Sequence, residues 1–196
     1  MKMIIASNNR GKVAEFNQIL KGLDIELHPQ SDFCDIEVEE SGATFEENAL
    51  LKARAIYICA KTAAFADDSG LEVDALGGKP GVYSKRFGGE GLDDAMRNEK
   101  LLELLSETED EKRTARFVSV IAYVDADIEF TIRGESEGEI LRECVGERGF
   151  GYDPLFFCKP LNKTFAQMSA EEKNTVSHRA EAGRRFAEKL KECKKV

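Results

Sequence analysis

The sequence lacks an excess of positive charge. Its 37 acidic residues outnumber its 28 basic residues and give a net charge of −9. Broad binding to nucleic acid or to an anionic membrane surface needs a basic face, so this composition argues against both partners. An acidic protein still binds a small anion where lysines and helix N-termini converge locally. We therefore expect a small-molecule partner, with no nucleic acid and no membrane.

Long hydrophobic runs are also missing. No stretch approaches the roughly 20 apolar residues of a membrane-spanning helix, and the apolar stretch before Ser7 is too short for a signal peptide. The five cysteines are scattered singly, without a C-x-x-C pair. This odd set predicts neither a disulfide framework nor a zinc site, and it favours a reducing compartment. We expect a cytoplasmic protein.

Internal repeats, low-complexity tracts and Pro/Ser-rich linkers are absent as well. A chain of 196 residues with 42% hydrophobic content suits one domain with a sizeable core, 1–196, which can divide into two lobes. Predicted strands and helices follow one another in mixed order. That order indicates an α/β protein with a mixed sheet.

The segment 66–71 carries the most information among the residues that are present. The apolar run 63–66 predicts a strand that ends at Asp67 and Asp68, with a Ser69-Gly70 turn directly after it. Carboxylates at the end of a strand suit Mg²⁺, which prefers hard oxygen ligands and often bridges to substrate phosphates. Adjacent side chains on a strand point in opposite directions, so we expect only one carboxylate to face a given crevice. The alternative is that both merely cap a turn.

The loop 7–12 is a candidate phosphate site. It follows a predicted strand, 3–6, and opens a predicted helix with Gly11-Lys12. Its hydroxyl, its two amides, its backbone N–H groups and Lys12 are all possible donors to phosphate oxygens. The loop is not a Walker A motif, because the upstream glycine and the downstream Ser/Thr are missing. The alternative is that Ser7 or Asn8 only caps the helix.

Two other segments supply candidate ligands. The acidic loop 29–42 contains Glu39 and Glu40, which by themselves are typical of solvated surface charge. A capping box formed by Thr44 and Glu47 then predicts a helix that presents Lys52 away from its apolar face.

The segment 150–153 combines two aromatic residues with a glycine and a carboxylate. An aromatic face with a nearby hydrogen-bond acceptor suits a nucleobase, although an aromatic turn packed on the core explains the segment equally well. A second capping box, at Ser169, predicts a final helix. We expect Lys173 and Ser177 to share one face of that helix, with His178 and Arg179 beside them.

Taken together, these segments resemble the inosine triphosphate pyrophosphatase family, which acts on non-standard purine nucleoside triphosphates. The resemblance runs through nearly the whole chain in order and rests on six segments: 7–12, 42–49, 66–71, 77–84, 150–154 and 172–179. It implies an elongated mixed β-sheet flanked by helices, in two lobes with a central active-site cleft, and a homodimer. It also implies Mg²⁺-dependent hydrolysis of ITP, dITP and XTP to the monophosphate and pyrophosphate.

The resemblance assigns a role to each matched residue. Asp68 is the implied general base and Mg²⁺ ligand, and Glu39, chosen over Glu40 for its spacing to Gly42, is the second metal ligand. Ser69 and Lys173 are implied to contact phosphate or sugar. The triphosphate would be held by Ser7, Asn8, Asn9, Arg10, Gly11, Lys12 and Lys52, and the base by Phe150, Gly151, Tyr152, Asp153, His178 and Arg179.

Discrimination against ATP follows from hydrogen-bond chemistry. Hypoxanthine and xanthine carry a keto oxygen where adenine carries an amino group. A donor such as Arg179 or His178 would donate a hydrogen bond to the keto oxygen, but it would face a second donor in the amino group of adenine. A mispaired buried donor costs roughly 1–3 kcal/mol, so two such donors would reject ATP about a hundredfold. Two alternatives stay open: a pyrophosphatase for another nucleotide, such as a modified pyrimidine triphosphate, and a non-catalytic nucleotide sensor.

Overall fold

A computed structural model describes residues 1–89 and 91–194, apart from the side chains of Arg10 and Lys194. This part of the chain contains β-strands, α-helices and short 3₁₀ turns in mixed order. In chain order the elements are β1 (Lys2–Ile5), α1 (Arg10–Ile19), β2 (Glu26–Pro29), α2 (Phe45–Ala60), β3 (Ala64–Val73), α3 (Asp94–Leu104), β4 (Thr114–Val124), β5 (Glu129–Ile140), β6 (Phe156–Cys158), β7 (Lys163–Thr164), α4 (Ala170–Val176) and α5 (His178–Lys194).

The strands form one mixed sheet in the order β2-β1-β3-β4-β5-β6-β7. Strand β1 pairs in parallel with both β2 and β3, whereas β6 pairs antiparallel with both β5 and β7. The predicted α/β class with a mixed sheet is confirmed. The central cleft and the single 1–196 domain stay predictions.

The predicted end of β3 is wrong. The strand does not stop at the two carboxylates but continues through Ser69 and Gly70 to Val73. Leu71 and Val73 are fully buried, so the far half of the strand gains hydrophobic stabilisation that a turn at Ser69 would forfeit. Asp67 and Asp68 therefore lie in the middle of a ten-residue strand.

Both predicted capping boxes are present. Thr44 and Glu47 close the N-terminus of α2, and Ser169 and Glu172 close that of α4. The single final helix is a wrong prediction, because Ser177 adopts an extended conformation (φ −75°, ψ 149°) and separates α4 from α5. Lys173 and the pair His178-Arg179 consequently belong to different helices.

The chain forms two compact units. Unit 1 contains Met1–Asp68, Ser119–Gly134 and the chain from Arg179 onward, and unit 2 contains Ser69–Val118 and Glu135–His178. Each unit has its own hydrophobic core. The core of unit 1 includes Ile5, Phe16, Phe65, Tyr123 and Phe186, and that of unit 2 includes Leu71, Leu101, Phe117, Phe156 and Phe165. No helix among the described residues is long and apolar enough to cross a membrane.

A disulfide joins Cys34 to Cys59, whose Cα atoms are 6.3 Å apart. The prediction of no disulfide is therefore wrong, and the cysteine spacing no longer supports a reducing compartment. The two residues are 25 positions apart, and they meet because α2 returns the chain past Cys34, which packs with Ile4, Ile56 and Ala64 in unit 1. The bond ties the acidic loop to the last turn of the helix that carries Lys52.

The disulfide predicts a stability difference. Closing a loop of this length lowers the entropy of the unfolded chain, so Cys34→Ser should reduce the free energy of unfolding by about 3 kcal/mol. Urea unfolding without reductant measures this loss. Cys144→Ser, at an exposed free cysteine, is the control and should change little. Five titratable thiols in the denatured, unreduced protein, instead of three, would contradict the bond.

Candidate functional site

The loop 7–12 is organised around Asn9, which caps α1. The side-chain oxygen of Asn9 accepts hydrogen bonds from the backbone N–H groups of Gly11 (2.9 Å) and Lys12 (3.2 Å). Ser7 Oγ accepts from the N–H of Asn9, and Asn8 Oδ1 accepts from the N–H of Ser31. The expectation that the loop's backbone N–H groups are free for phosphate is therefore wrong at Asn9, Gly11 and Lys12. The side chain of Arg10 lies outside the described residues.

Lys12 reaches from this loop to the middle of β3. Its Nζ lies 2.9 Å from Asp67 Oδ2 and 3.4 Å from the carbonyl oxygen of Asp67. The Lys12 side chain is 24% exposed, whereas that of Asp67 is 2% exposed. The N-terminal lysine loop and the acidic strand therefore converge within unit 1, and the Lys12 side chain remains partly exposed.

Asp67 also binds Arg179 and Ser119. Arg179 Nε donates to Asp67 Oδ2 (3.2 Å), and the Ser119 hydroxyl donates to Asp67 Oδ1. Arg179 NH1 in turn donates to Glu15 Oε2 at 3.0 Å. Glu15 lies one helical turn after Lys12 on α1, so this network attaches both residues to the start of α5.

The environment of Asp67 fixes its charge. Burial by itself would raise the pKa of Asp67. The charges of Lys12 and Arg179, with the hydrogen bond from Ser119, outweigh burial and hold the pKa far below its usual value. Asp67 therefore remains ionised, with its oxygens occupied, and the structure makes it an anchor for cationic side chains.

Asp68 has a different set of partners. Lys52 Nζ lies 2.7 Å from Asp68 Oδ1 and 2.7 Å from Glu40 Oε1, and it also contacts the carbonyl oxygen of Asp67 at 3.2 Å. One lysine thus bridges two carboxylates, and the predicted role of Lys52 in holding a triphosphate stays a prediction.

The pKa values of both members of this pair are shifted. Burial raises the pKa of Asp68 above its ordinary value, although the charge of Lys52 opposes that shift. Burial would lower the pKa of Lys52, but the charges and hydrogen bonds of Asp68 and Glu40 outweigh it and raise the pKa. Lys52 therefore stays protonated, and Asp68 is a stronger base than an exposed aspartate.

The donor set near Asp68 fits Mg²⁺. Among the described residues, no three His, Cys, Asp or Glu side chains are grouped tightly enough to enclose a metal ion. Mg²⁺ is commonly held by one or two carboxylates together with waters and substrate phosphates, and Asp68 and Glu40 supply two such carboxylates. Glu39 is exposed, and its metal role stays a prediction. Glu40, the alternative to Glu39, is the one that shares Lys52 with Asp68.

The segment 150–153 forms a second cluster, within unit 2. Phe150 is 64% exposed. Asp153 Oδ2 accepts from the backbone N–H of Phe150 (3.0 Å) and from Lys173 Nζ (2.6 Å), and Lys173 Nζ lies 5.3 Å from the centre of the Phe150 ring. Phe150 and Asp153, two predicted base-pocket residues, therefore lie beside Lys173, which is predicted to contact phosphate or sugar.

Three other predicted base-pocket residues are buried and contact protein groups: Tyr152, His178 and Arg179. Tyr152 is 4% exposed, its hydroxyl donates to the carbonyl oxygen of Ser84 (2.9 Å), and burial raises its pKa. The His178 ring stacks on Phe117 with centroids 4.9 Å apart. Arg179 points at Asp67 and Glu15, and its base-reading role stays a prediction. Ser69 is half-buried on β3.

Sequence reasoning missed several residues that complete these clusters. Ser119 interrupts an otherwise apolar strand, 117–121, and a lone hydroxyl in such a run could have indicated a buried polar partner. Glu15 could have been found from its position one turn after Lys12. Asp94 and Asn98, described below, gave no comparable signal.

Comparisons with known proteins agree with the resemblance in sequence. The model of the Ham1 family matches residues 3–189. A dITP/XTP pyrophosphatase of Bacillus anthracis is 46% identical over 195 residues, covering 97% of this chain and 96% of that protein. One of Desulforamulus reducens is 48% identical over 192 residues, covering 97% and 96%. The solved Ham1 protein of Staphylococcus aureus superposes with a TM-score of 0.92 at 43% identity, covering 99% of this chain and 100% of that one.

The Asp67 network predicts a pH-dependent stability. A carboxyl whose pKa is depressed in the folded state stabilises the protein fully above the unfolded pKa of about 4, and this contribution is lost as pH falls below that value. Asp67→Asn removes the charge, so at pH 7 it should cost about 3 kcal/mol in free energy of unfolding. The gap between wild type and variant should close by about 1.4 kcal/mol for each pH unit below 4.

Urea unfolding between pH 3 and pH 7 measures this gap. Asp110→Asn is the matched control, since Asp110 forms an exposed ion pair with Arg142, which is expected to contribute less than about 1 kcal/mol. A gap between Asp67→Asn and wild type that stays constant down to pH 3 would contradict the charge assignment.

Proposed function

Because the chain belongs to the Ham1 family, we propose that it is a nucleoside triphosphate pyrophosphatase. It hydrolyses the non-standard purine nucleotides ITP, dITP and XTP to the nucleoside monophosphate and pyrophosphate, and so removes them from the nucleotide pool. The dITP/XTP pyrophosphatases similar to it match over nearly their whole length. The observation that carries the proposal is the convergence of Lys12, Lys52 and Asp68 in unit 1.

The two lysines would bind the triphosphate. Both ammonium groups lie within hydrogen-bond distance of the carbonyl oxygen of Asp67, so they are close to each other, and the Lys12 side chain remains partly exposed. Two adjacent cations favour a chain of phosphates over a single anion. As the reaction proceeds they offset the negative charge that develops on the departing pyrophosphate.

Asp68 would act as the general base. A water molecule attacks the α-phosphorus, the bond from that phosphorus to the bridging oxygen of pyrophosphate breaks, and the proton of the water passes to the Asp68 carboxylate. Its raised pKa suits this role, since a carboxylate with a higher pKa accepts a proton more readily. Asp67 cannot substitute for it, because its oxygens are bonded to Lys12, Arg179 and Ser119.

Mg²⁺ is the proposed cofactor. Asp68 would hold it together with Glu39 or Glu40. When bound, Mg²⁺ polarises phosphate oxygens and lowers the pKa of a coordinated water. Lys52 contacts both Asp68 and Glu40 and offsets part of their negative charge, which limits the repulsion between the two carboxylates.

Phe150 would provide the stacking face for the purine. It is exposed, and Lys173 and Asp153 beside it offer a donor and an acceptor to the nucleoside. His178 and Arg179 remain the proposed donors to the keto oxygen.

We also propose that the protein works as a homodimer in the cytoplasm. Light scattering should therefore give a mass near twice the 21.8 kDa of one chain.

Product identification tests the proposed reaction. With Mg²⁺ present, ITP should yield IMP and pyrophosphate in equal amounts, without IDP, because the bond broken is at the α-phosphorus. ATP should react about a hundredfold more slowly. Release of inorganic phosphate and IDP would contradict the reaction. Faster turnover of a modified pyrimidine triphosphate in the same panel would favour the alternative substrate class.

Asp68→Asn is the matched variant for this assay. It keeps the side-chain volume but removes the base, so turnover of ITP should be lost while thermal unfolding stays cooperative. Retained turnover would remove Asp68 from the mechanism. Tight binding of ITP by the wild-type protein, without any turnover, would favour the nucleotide sensor.

A further inference from the structure

The exposed ring of Phe150 is carried by a firmly bonded backbone. Phe150 lies between Gly149 and Gly151, both of which adopt positive φ (78° and 61°), a conformation that glycine reaches without the steric cost that a Cβ atom would bring. The backbone N–H of Phe150 donates to Asp153 Oδ2 (3.0 Å), and its carbonyl oxygen accepts from the N–H of Asp153 (3.2 Å). One side of the aromatic residue is thus fixed within its own loop.

The other side is fixed by helix α3. The backbone N–H of Gly151 donates to Asp94 Oδ2 at 2.7 Å, and the carbonyl oxygen of Gly151 accepts from Asn98 Nδ2 at 3.0 Å. Asp94 and Asn98 are four residues apart, so they share one face of the helix. A single helix face therefore binds both polar groups of one peptide residue, and all four main-chain polar groups of Phe150 and Gly151 have partners.

The two anchoring side chains are themselves held. Asn98 is only 4% exposed. Arg97 NH1 donates to Asp94 Oδ1 at 3.2 Å, which leaves Oδ2 for Gly151. The α3 helix also packs into unit 2 through Leu101, which is fully buried. The loop is therefore attached to a rigid element and not to another loop.

We propose that Asp94 and Asn98 are positioning residues for purine binding. By clamping Gly151 they hold the Phe150 ring in a fixed orientation before substrate arrives. A preordered ring loses less conformational entropy on stacking, so the clamp strengthens binding of the base without contacting it. This inference rests on the proposed stacking role of Phe150. It assigns part of the purine affinity to helix α3, whose residues Asp94 and Asn98 would not contact the purine.

Binding of two probes separates this role from a general structural one. IMP requires the base site, whereas inorganic tripolyphosphate requires only the lysines. Asp94→Ala and Asn98→Ala should each weaken IMP binding about five- to tenfold, as expected for the loss of one hydrogen bond. They should raise KM for ITP similarly and change kcat and tripolyphosphate affinity less than twofold. Isothermal titration calorimetry and steady-state kinetics measure these values.

Glu103→Ala is the matched control, since Glu103 is an exposed acidic residue of α3 that pairs only with Lys100. IMP affinities of Asp94→Ala and Asn98→Ala no weaker than that of Glu103→Ala would overturn the proposal, as would an equal loss of tripolyphosphate affinity. Asp94 is half exposed, so its variant keeps the test decisive if Asn98→Ala fails to fold. If Phe150→Ala leaves IMP affinity unchanged, the stacking role itself is wrong.

The chain contains no tryptophan, so Phe150→Trp introduces a single tryptophan at the clamped position, whose emission can be excited apart from that of the four tyrosines. Adding Asp94→Ala to this variant should lower the fluorescence anisotropy, because the ring gains local motion. The same addition of Glu103→Ala should leave the anisotropy unchanged. Equal anisotropy in all three proteins would contradict the clamp.

Discussion

The ion pairs and hydrogen bonds of the buried Asp67 carboxylate are the interactions on which the proposed phosphate-binding part of the molecule depends. A charge with so little access to water is stable only when it is paired and hydrogen-bonded. Asp67 meets this requirement with Lys12, Arg179 and Ser119. These partners come from the first helix, the last helix and a neighbouring strand, so one carboxylate gathers distant parts of unit 1. Lys12 is thereby held at the strand while its side chain stays partly exposed.

The same arrangement divides the work between two adjacent acids. Neighbouring side chains on a strand point to opposite faces, and here the faces differ in chemistry. Asp67 meets two cations and a hydroxyl, which hold its pKa low, whereas Asp68 meets one lysine and burial raises its pKa. Position in the strand thus separates an electrostatic anchor from a proposed general base. The hydrogen bonds of Asp94 and Asn98 to Gly151 are a parallel case in unit 2, where two residues would orient the proposed stacking residue Phe150 without contacting the ligand themselves.

Local signals in the sequence predicted much of this fold. The capping boxes at Thr44 and Ser169 specify helix starts through contacts three residues apart, and the site motifs identified Lys12, Lys52 and Asp68. Features that depend on distant contacts were not predictable. Arg179 meets Asp67 across 112 positions, Cys34 meets Cys59 across a helix, and β3 runs past Gly70 because of packing in unit 2. The strands β6 and β7 are too short to give a periodic pattern.

The most direct test of the anchor is a double-mutant cycle between Asp67 and Lys12, measured as the affinity for inorganic tripolyphosphate. If Asp67 holds Lys12 at the phosphate site, Lys12→Met should weaken binding strongly in the wild-type protein and much less in Asp67→Asn, where the lysine is already displaced. The two substitutions would then be coupled by at least about 1 kcal/mol. Strictly additive losses would show that Lys12 binds phosphate without help from Asp67, and would contradict the role of Asp67 as the anchor of Lys12.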